Sequence, residues 1–161
     1  MKSDQPESFR RRAPVRIDDC GMAMAAKVLG DRWTLLIIRE AFYGVRCFED
    51  MRADLSIPSA TLQKRLSQLV KNGILNLSDY QEPGERSRKA YVLSETGRAL
   101  APVILALRQW GDAALRDDAP KTELVDEDTG RPVLLTLVDP DGNPVDLEGA
   151  VLQQRKPLED D

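Results

Sequence analysis

The sequence of 161 residues contains no histidine and only two cysteines, Cys20 and Cys47. Without histidine, acid–base catalysis of the histidine type and most zinc chemistry are nearly excluded. Two cysteines are too few for a disulfide framework or a metal cluster. No nucleophile–base pair and no glycine-rich phosphate loop is visible either. The sequence therefore predicts a protein that is not an enzyme and that binds neither a metal nor a cofactor.

Long apolar stretches are also missing. No run approaches the roughly 20 apolar residues needed to span a bilayer, and the N-terminal sequence MKSDQPESFRRRAPVR lacks the apolar stretch of a signal peptide. We therefore expect a cytoplasmic protein with no membrane partner. The length and the 42% content of hydrophobic residues suit one compact domain with an appendage.

The formal net charge of −4 is unevenly distributed along the chain. Residues 1–116 contain 19 Lys and Arg against 14 Asp and Glu, a net charge of +5. Residues 117–161 contain 4 against 13, a net charge of −9. Because the acidity is confined to the last part, the rest of the chain can still present a basic face to a nucleic acid.

Three regions are predicted from composition. Residues 1–17 are polar, arginine-rich and interrupted by two prolines, which is typical of a flexible basic arm. Residues 18–116 form the main domain. Residues 117–161 form an acidic, β-hairpin-like extension, because the turn signals Asp-Thr-Gly and Asp-Pro-Asp-Gly-Asn-Pro flank the strand-like run PVLLTLV.

Helical spacing predicts three helices at the start of the main domain. A short helix begins near Cys20 with Asp18 or Asp19 as its cap and ends at Gly30. Asp31 is expected to cap the second, WTLLIIREAF, which is apolar around most of its circumference and therefore belongs in the core. The third, CFEDMRADL, repeats apolar residues at intervals of three and four.

The stretch SIPSATLQKRLSQLVKNGIL combines a row of leucines with a basic, hydroxyl-rich surface. The leucines share one face of a predicted helix from about Pro58 to Asn72, which Gly73 ends. The opposite face is small and polar, which suits the major groove of DNA, although a merely solvated helix would show the same spacing. The residues expected to face DNA are Ser59, Ala60, Thr61, Gln63, Lys64 and Ser67.

A β-hairpin is predicted directly after this helix-turn-helix pattern, which is the order of a winged helix. The strands are ILNLSDYQ and RKAYVLS, and the turn is EPGERS. Arg86, Arg88 and Lys89 lie at or beside the hairpin tip, where they would contact DNA phosphates. A solubilising turn is the alternative, and Glu82 and Glu85 favour it in part.

Several independent motifs occur in order between Cys20 and about Gly111: a cysteine that begins the first helix, then GDRWTLLII, FEDMRADL and TGRAL. With them the sequence resembles the HxlR-type (MarR-like) winged-helix transcriptional regulators of bacteria. The resemblance implies a homodimer that binds an inverted repeat in double-stranded DNA and regulates transcription, with repression as the expected mode. Some relatives carry Cys/His pairs near turns of the tail. Here Asp, Gly and Asn stand instead, so no metal is expected.

The last helix, expected from about Ser94 to Leu115, has an apolar stripe wider than a small winged domain can cover. Pairing with a second copy would bury it, although packing within its own chain remains the alternative. The residues expected at the dimer interface are Met22, Leu100, Ile104, Leu107 and Trp110.

Cys20 is the candidate redox sensor, because a thiolate in the first turn of a helix is favoured by exposed N–H groups. In several HxlR-type regulators the matching cysteine senses oxidants or electrophiles. Asp18 and Asp19 disfavour a second negative charge beside them, and cysteine is also an ordinary core residue, so both interpretations stay open. If Cys20 is not the sensor, a small ligand near Trp33 and the dimer helices is the alternative effector.

Two function classes remain. The first is a dimeric, sequence-specific DNA-binding regulator. The second is a winged helix that binds a protein partner through its leucine stripe and acidic tail and reads no DNA. A gel shift with duplex DNA separates them.

Overall fold

The computed structural model of the chain describes residues 15–80, 88–146, 148 and 150. The described part is a helical domain with one two-stranded antiparallel sheet, which confirms the predicted α+β winged helix-turn-helix class. Residues 1–14 of the predicted arm lie outside the described residues. The elements are, in chain order, a 3-10 turn (Ile17–Asp19), α1 (Gly21–Leu29), α2 (Arg32–Phe42), α3 (Phe48–Leu55), α4 (Ser59–Lys71), β1 (Leu75–Tyr80), β2 (Arg88–Leu93), α5 (Glu95–Arg98) and α6 (Ala101–Ala114).

The start of α1 differs from the prediction that Asp18 or Asp19 caps it. Both aspartates lie in the 3-10 turn, and Cys20 is the N-cap residue, although its side chain makes no capping hydrogen bond. The Cys20 N–H donates to the Ile17 carbonyl at 3.3 Å, which closes the 3-10 turn. The prediction was wrong because this turn places the aspartates before the helix, where their carboxylates cannot accept from its first N–H groups.

The start of α2 confirms the predicted cap. One carboxylate oxygen of Asp31 accepts from the Trp33 N–H at 3.1 Å and from the Thr34 N–H at 3.2 Å. These bonds satisfy two of the N–H groups that have no partner inside the helix. Two turns later Ile37 and Ile38 are completely buried, as expected for a central helix.

The hydrophobic core lies between α2, α3, α4 and the start of β1. Apolar side chains of all four elements meet there, and the turn between α3 and α4 contributes Ile57. None of the described helices has the length and apolar character that crossing a membrane would need. The buried core residues are Ile37, Ile38, Met51, Ile57, Leu62, Leu66, Leu69, Ile74 and Leu75.

The sheet is joined to the following helix at the open end of the hairpin, opposite the end formed by Tyr80 and Arg88. Strands β1 and β2 pair antiparallel from Leu75 opposite Leu93 at this end. The Ser94 N–H donates to the Ile74 carbonyl at 3.0 Å, and the Ser94 hydroxyl accepts from the Gly97 N–H at 3.0 Å. A Cβ atom on Gly97 would lie 2.1 Å from the Ile74 carbonyl oxygen, so only glycine fits at this position.

The last helix is shorter than the predicted helix from about Ser94 to Leu115. A four-residue helix, α5, is followed by a turn, and α6 then begins at Ala101. Pro102 lies in the first turn of α6. Proline has no N–H and its ring clashes with a preceding turn of helix, so it starts a helix rather than continuing one.

The β character of the C-terminal extension is confined to isolated bridges. Val125 pairs with Pro132, and Val138 pairs with Pro144, each across a tight turn. Gly130 and Gly142 sit in these turns with φ of +64° and +86°. The two turns stand where the sequence predicts them, but no strand of several residues forms in the described part of the extension. The predicted boundaries at residues 17 and 116 stay predictions.

Candidate nucleic-acid interface

Helix α4 has two sharply different faces. Leu62, Leu66 and Leu69 are buried against α2 and α3, as their spacing predicts. This packing fixes which side chains remain outside, because residues between the leucines point away from the core. On that outer face Ser59, Ala60, Gln63, Lys64 and Ser67 are exposed, whereas Thr61 is half-buried.

The exposed polar groups of α4 differ in their hydrogen-bonding capacity. The Ser67 hydroxyl donates to the Gln63 carbonyl at 2.9 Å, which leaves its oxygen as an acceptor. The ammonium of Lys64 has no ion pair within the described residues. A lysine at this position is therefore available for a phosphate, and the amide of Gln63 can both donate and accept.

The turn between α3 and α4 sets how α4 leaves the domain. Ser56 has φ of 49° and ψ of 39°, the left-handed conformation that ends α3. The next residue, Ile57, is buried and anchors the turn in the core. Pro58 follows as the N-cap residue of α4. Such a short anchored turn holds the two helices of a helix-turn-helix unit in a fixed relation.

An ion pair joins α4 to the start of α2. Nη2 of Arg65 donates to Asp31 at 2.8 Å, through the carboxylate oxygen that is not engaged in capping. Both side chains are partly buried, with 25% and 32% of their surface exposed. Nη1 of Arg65 also donates to Gln68 at 3.0 Å. One carboxylate therefore caps α2 and restrains the rotation of α4 about its own axis.

Sequence patterns did not reveal this contact. Asp31 was predicted as a cap, but Arg65 was not singled out, because 34 residues separate it from its partner. Its position on α4, beside the buried row that includes Leu62 and Leu69, was the available signal. An arginine there lies at the border of the core, where it needs an anion.

The structure describes two of the three wing residues that are predicted to contact phosphates, Arg88 and Lys89. Nζ of Lys89 lies 2.7 Å from a carboxylate oxygen of Asp79 on the opposite strand, and both side chains are exposed. Arg88, also exposed, is paired in register with Tyr80. Arg86 lies outside the described residues, as do Glu82 and Glu85. A phosphate that reached Lys89 would compete with Asp79, so this lysine is a weaker candidate than Lys64.

The residues predicted for the dimer interface fall into two groups. Met22, Leu107 and Trp110 are 78%, 46% and 60% exposed. Leu100 and Ile104 are partly buried and pack against the core of their own chain. Leu100 and Ile104 therefore belong to the core of the chain, and of the predicted residues only Met22, Leu107 and Trp110 are accessible to a second copy. Further exposed apolar side chains on the same two helices and at the end of α6 are Met24, Val103 and Leu115.

Both cysteines are half-buried at helix starts, and neither forms a disulfide. Cys20 is the N-cap residue of α1, and Cys47 is the N-cap residue of α3. The Cys47 backbone also bridges to Ala90 of β2. The Cys20 sulfur thus lies at the N-terminal end of the helix that carries the exposed Met22, which is where the predicted interface begins.

Two carboxylates in the turns of the extension accept several hydrogen bonds. Asp126 accepts from the hydroxyl and the N–H of Thr129 at 2.6 and 2.8 Å, and these bonds lower the pKa of Asp126. Asp139 accepts from the N–H of Asn143 at 2.9 Å and from its side-chain amide, which lowers the pKa of Asp139. Within the described residues, no group of three or more carboxylate, cysteine or histidine side chains is placed to hold a metal ion.

Comparisons with known proteins support a regulator of transcription. The model of the HxlR-like helix-turn-helix family matches residues 28–119. An uncharacterized HTH-type transcriptional regulator of Mycobacterium tuberculosis is 42% identical over 110 residues, which cover 68% of this chain and 68% of that protein.

Solved structures show the same fold. The crystal structure of PA1607, a candidate transcription factor, matches 84% of this chain and 95% of its own, with a TM-score of 0.74 and 33% identity. The redox regulator HypR in its oxidized form matches 62% of this chain and 100% of its own, with a TM-score of 0.54 and 27% identity. The likeness to PA1607 therefore extends beyond the winged domain into the C-terminal extension.

Proposed function

This chain belongs to the HxlR-like helix-turn-helix family, and we propose that it acts as a homodimer that binds an inverted repeat in duplex DNA through α4 and the wing. Binding of the dimer at a promoter would exclude the transcription machinery, so we propose repression as its mode of action. The family is one of transcriptional regulators, as the names of the relatives state. To membership of this family the proposal adds sequence-specific binding to an operator, formation of a homodimer and a response to an effector.

The observation that carries the proposal is the division of α4 into a buried leucine row and an exposed polar face. The outer face has small residues at its start, Ser59 and Ala60, so the helix backbone can approach the floor of a major groove. Gln63 is suited to adenine, whose N6 and N7 match a side-chain amide, and Lys64 to guanine or a phosphate. The restraint of α4 by Arg65 and Asp31 would keep these groups in one orientation on the DNA.

Dimerisation is supported by the apolar surface of α1 and α6. Met22, Leu107 and Trp110 are large apolar side chains on the outside of a chain that is otherwise rich in charge. A two-fold interface would bury the same patch of both copies and would present two α4 helices to successive half-sites.

For regulation, we propose that oxidation or alkylation of Cys20 changes DNA affinity. HypR is a redox regulator, which makes the same type of response reasonable for this chain. Cys20 lies at the start of α1, so a group added to its sulfur would displace the exposed Met22 region from the partner. Diamide or a quinone should then alter the DNA affinity of the wild type and leave that of Cys20→Ser unchanged. If the DNA affinity of the wild type and of Cys20→Ser responds equally to these reagents, Cys20 is not the sensor, and a small ligand bound near Trp33 becomes the alternative effector.

The test of DNA reading is a salt series on duplexes selected by the purified protein. If Lys64 contacts a phosphate in each subunit, Lys64→Ala should lower affinity and reduce the slope of log affinity against log salt by about one for each lost contact. Lys121→Ala is the matched control, because Lys121 is exposed and lies outside α4 and the wing. Binding that is insensitive to salt, or no binding to any duplex, would favour the protein-binding winged helix instead.

A further inference from the structure

Residues 131–139 of the C-terminal extension use only one of their two backbone edges. Every odd-numbered residue of this segment makes a backbone hydrogen bond. The partners are backbone groups of residues 124–126 and 143–145 and the side chain of Gln109 on α6. The alternation is that of an extended strand, in which both backbone groups of a residue point to the same edge. The bonds join Arg131 to Asp126 (2.9 Å), Val133 to Leu124 (2.8 Å), Leu135 to the Gln109 side chain (3.1 and 3.2 Å), Leu137 to Val145 (2.9 Å) and Asp139 to Asn143 (2.9 Å).

The other edge is open. The backbone groups of Leu134, Thr136 and Val138 make no hydrogen bond within the described part of the chain. Leu134 is 74% exposed and Val138 is 54% exposed, so these residues of the edge are accessible to solvent. An extended segment with an unpaired edge, no charge from residue 132 to 138 and several apolar side chains is a template for another strand.

We propose that the occupant of this edge is the same segment of a second copy, paired antiparallel across a two-fold axis at Leu135. The proposal rests on the proposed homodimer and adds a second interface element to it. The Gln109 side chain bonds to both backbone groups of Leu135 and so fixes the segment to α6, one residue from the exposed Trp110. The strand pairing would therefore continue the apolar surface of α6.

The register about that axis is self-complementary. Leu134 lies opposite Thr136 of the second copy, and each such pair exchanges both of its backbone hydrogen bonds. The next pair on each side joins Pro132 to Val138 of the second copy. Pro132 has no N–H to leave unsatisfied, and its carbonyl can accept from Val138. No free N–H group of the edge remains without a partner.

Charge also favours this occupant. In the same register Arg131 lies opposite Asp139 of the second copy, once on each side of the axis. The Arg131 guanidinium has no ion pair within the described residues, and Asp139, whose pKa is lowered by the hydrogen bonds from Asn143, is anionic near neutral pH. Cross-strand pairs of opposite charge stabilise a sheet, whereas shifting the register by two residues would lose both pairs.

The experiment is a cysteine cross-link in a background with Cys20→Ser and Cys47→Ser. Residue 135 faces its own copy in a non-hydrogen-bonded pair with Cβ atoms about 4.5 Å apart, close to the spacing of a disulfide. Residue 134 is displaced diagonally from its own copy by about 7 Å or more, beyond that spacing. Under mild oxidation Leu135→Cys should run as a reducible dimer on a denaturing gel, and Leu134→Cys should run as a monomer.

Light scattering on the same samples separates the outcomes. A dimer in solution whose Leu135→Cys form does not cross-link, or whose two variants cross-link equally, overturns the strand pairing and leaves the proposed function standing. The edge would then be open to an extended peptide of another protein. A monomer in solution overturns the strand pairing and the proposed homodimer together.

A second variant tests the hydrogen bonds themselves. Thr136→Pro removes one N–H from the open edge and none from the bonded edge, and it occurs twice in a dimer. Losing two hydrogen bonds should raise the dimer dissociation constant about tenfold or more. Thr136→Val keeps the N–H and the branched shape and should leave that constant unchanged. Equal dissociation constants for both variants would overturn the proposal.

Discussion

Helices α4 and α6 are both amphipathic, yet they use their apolar faces in opposite ways. In α4, three leucines are buried inside the chain, and the surface left outside is polar. In α6, no residue is fully buried, and Leu107 and Trp110 remain outside. A helix whose apolar face is satisfied within its own fold can offer polar groups to a polar ligand. A helix that leaves large apolar side chains exposed is suited to contact another protein surface.

The largest expected effect comes from a charge on the outer face of α6. Leu107→Glu would place two unpaired carboxylates in an apolar two-fold interface, at a cost of about 4 kcal/mol or more. The protein should become monomeric in light scattering at micromolar concentration and lose its affinity for an inverted repeat. Leu107→Met, of similar volume, should remain a dimer. A soluble Leu107→Glu dimer would place the interface elsewhere.

A core deletion in α4 should have a smaller effect of a different kind. Leu66→Ala removes a completely buried side chain and should lower the free energy of unfolding by about 3 kcal/mol. Because the loss is internal to one chain, the change should not depend on protein concentration. Leu107→Ala should act through dimerisation, so its effect in denaturant titrations should be largest at high protein concentration and should disappear on dilution below the dissociation constant of the wild-type dimer. If the effects of Leu66→Ala and Leu107→Ala on unfolding depended on protein concentration in the same way, the two helices would not differ in how they use their apolar faces.

The ion pair between Arg65 and Asp31 allows a test of orientation. Arg65→Gln should weaken binding to the selected operator by on the order of 1 kcal/mol, because α4 loses its rotational restraint, while non-specific DNA binding stays nearly unchanged. Asp31→Asn keeps the cap oxygen and should act similarly, and the double variant should be less than additive. Proportional losses on specific and random DNA would mean that the pair only stabilises the fold.

The smallest effect concerns the turns of the extension. Asp126 and Asp139 have pKa values lowered from 3.8, so their carboxylates favour the folded turns above that pH. That contribution is lost as the pH falls through the lowered values, and it is fully present at neutral pH. The amide signals of Thr129 and Asn143 in NMR spectra should therefore shift with midpoints below 3.8. In Asp126→Asn the Thr129 shift should disappear while that of Asn143 remains.

Sequence patterns predicted the features of the fold that depend on interactions between residues close together in the chain. The leucine spacing of α4 gave its buried face, and Asp31 before an apolar run gave the cap of α2, because both depend on neighbours within four residues. The cap of α1 was wrong for a related reason, since the 3-10 turn that displaced Asp18 and Asp19 leaves no clear mark in composition.

Contacts between residues far apart in the chain could not be predicted from sequence patterns. The bond from Arg65 to Asp31 and the docking of Leu135 on Gln109 depend on how elements pack, and no periodicity encodes them. The run PVLLTLV was predicted to be strand-like, but the structure has only isolated bridges at its two ends, Pro132 and Val138, because strand propensity does not supply a partner strand. The same limit applies to the apolar stripe of the last helix, whose division between the core and the surface followed only from the packing of Leu100 and Ile104.

The contact of Gly97 with the Ile74 carbonyl limits how this protein can be recombined with its relatives. The glycine belongs to the segment that leads to α6, whereas Ile74 immediately precedes β1 and follows the helix proposed to read DNA. A chimaera that took the reading unit from one relative and the dimerisation unit from another would have to cut the chain between them. The crossover should therefore fall after residue 98 or before residue 73, so that both sides of this contact come from one parent.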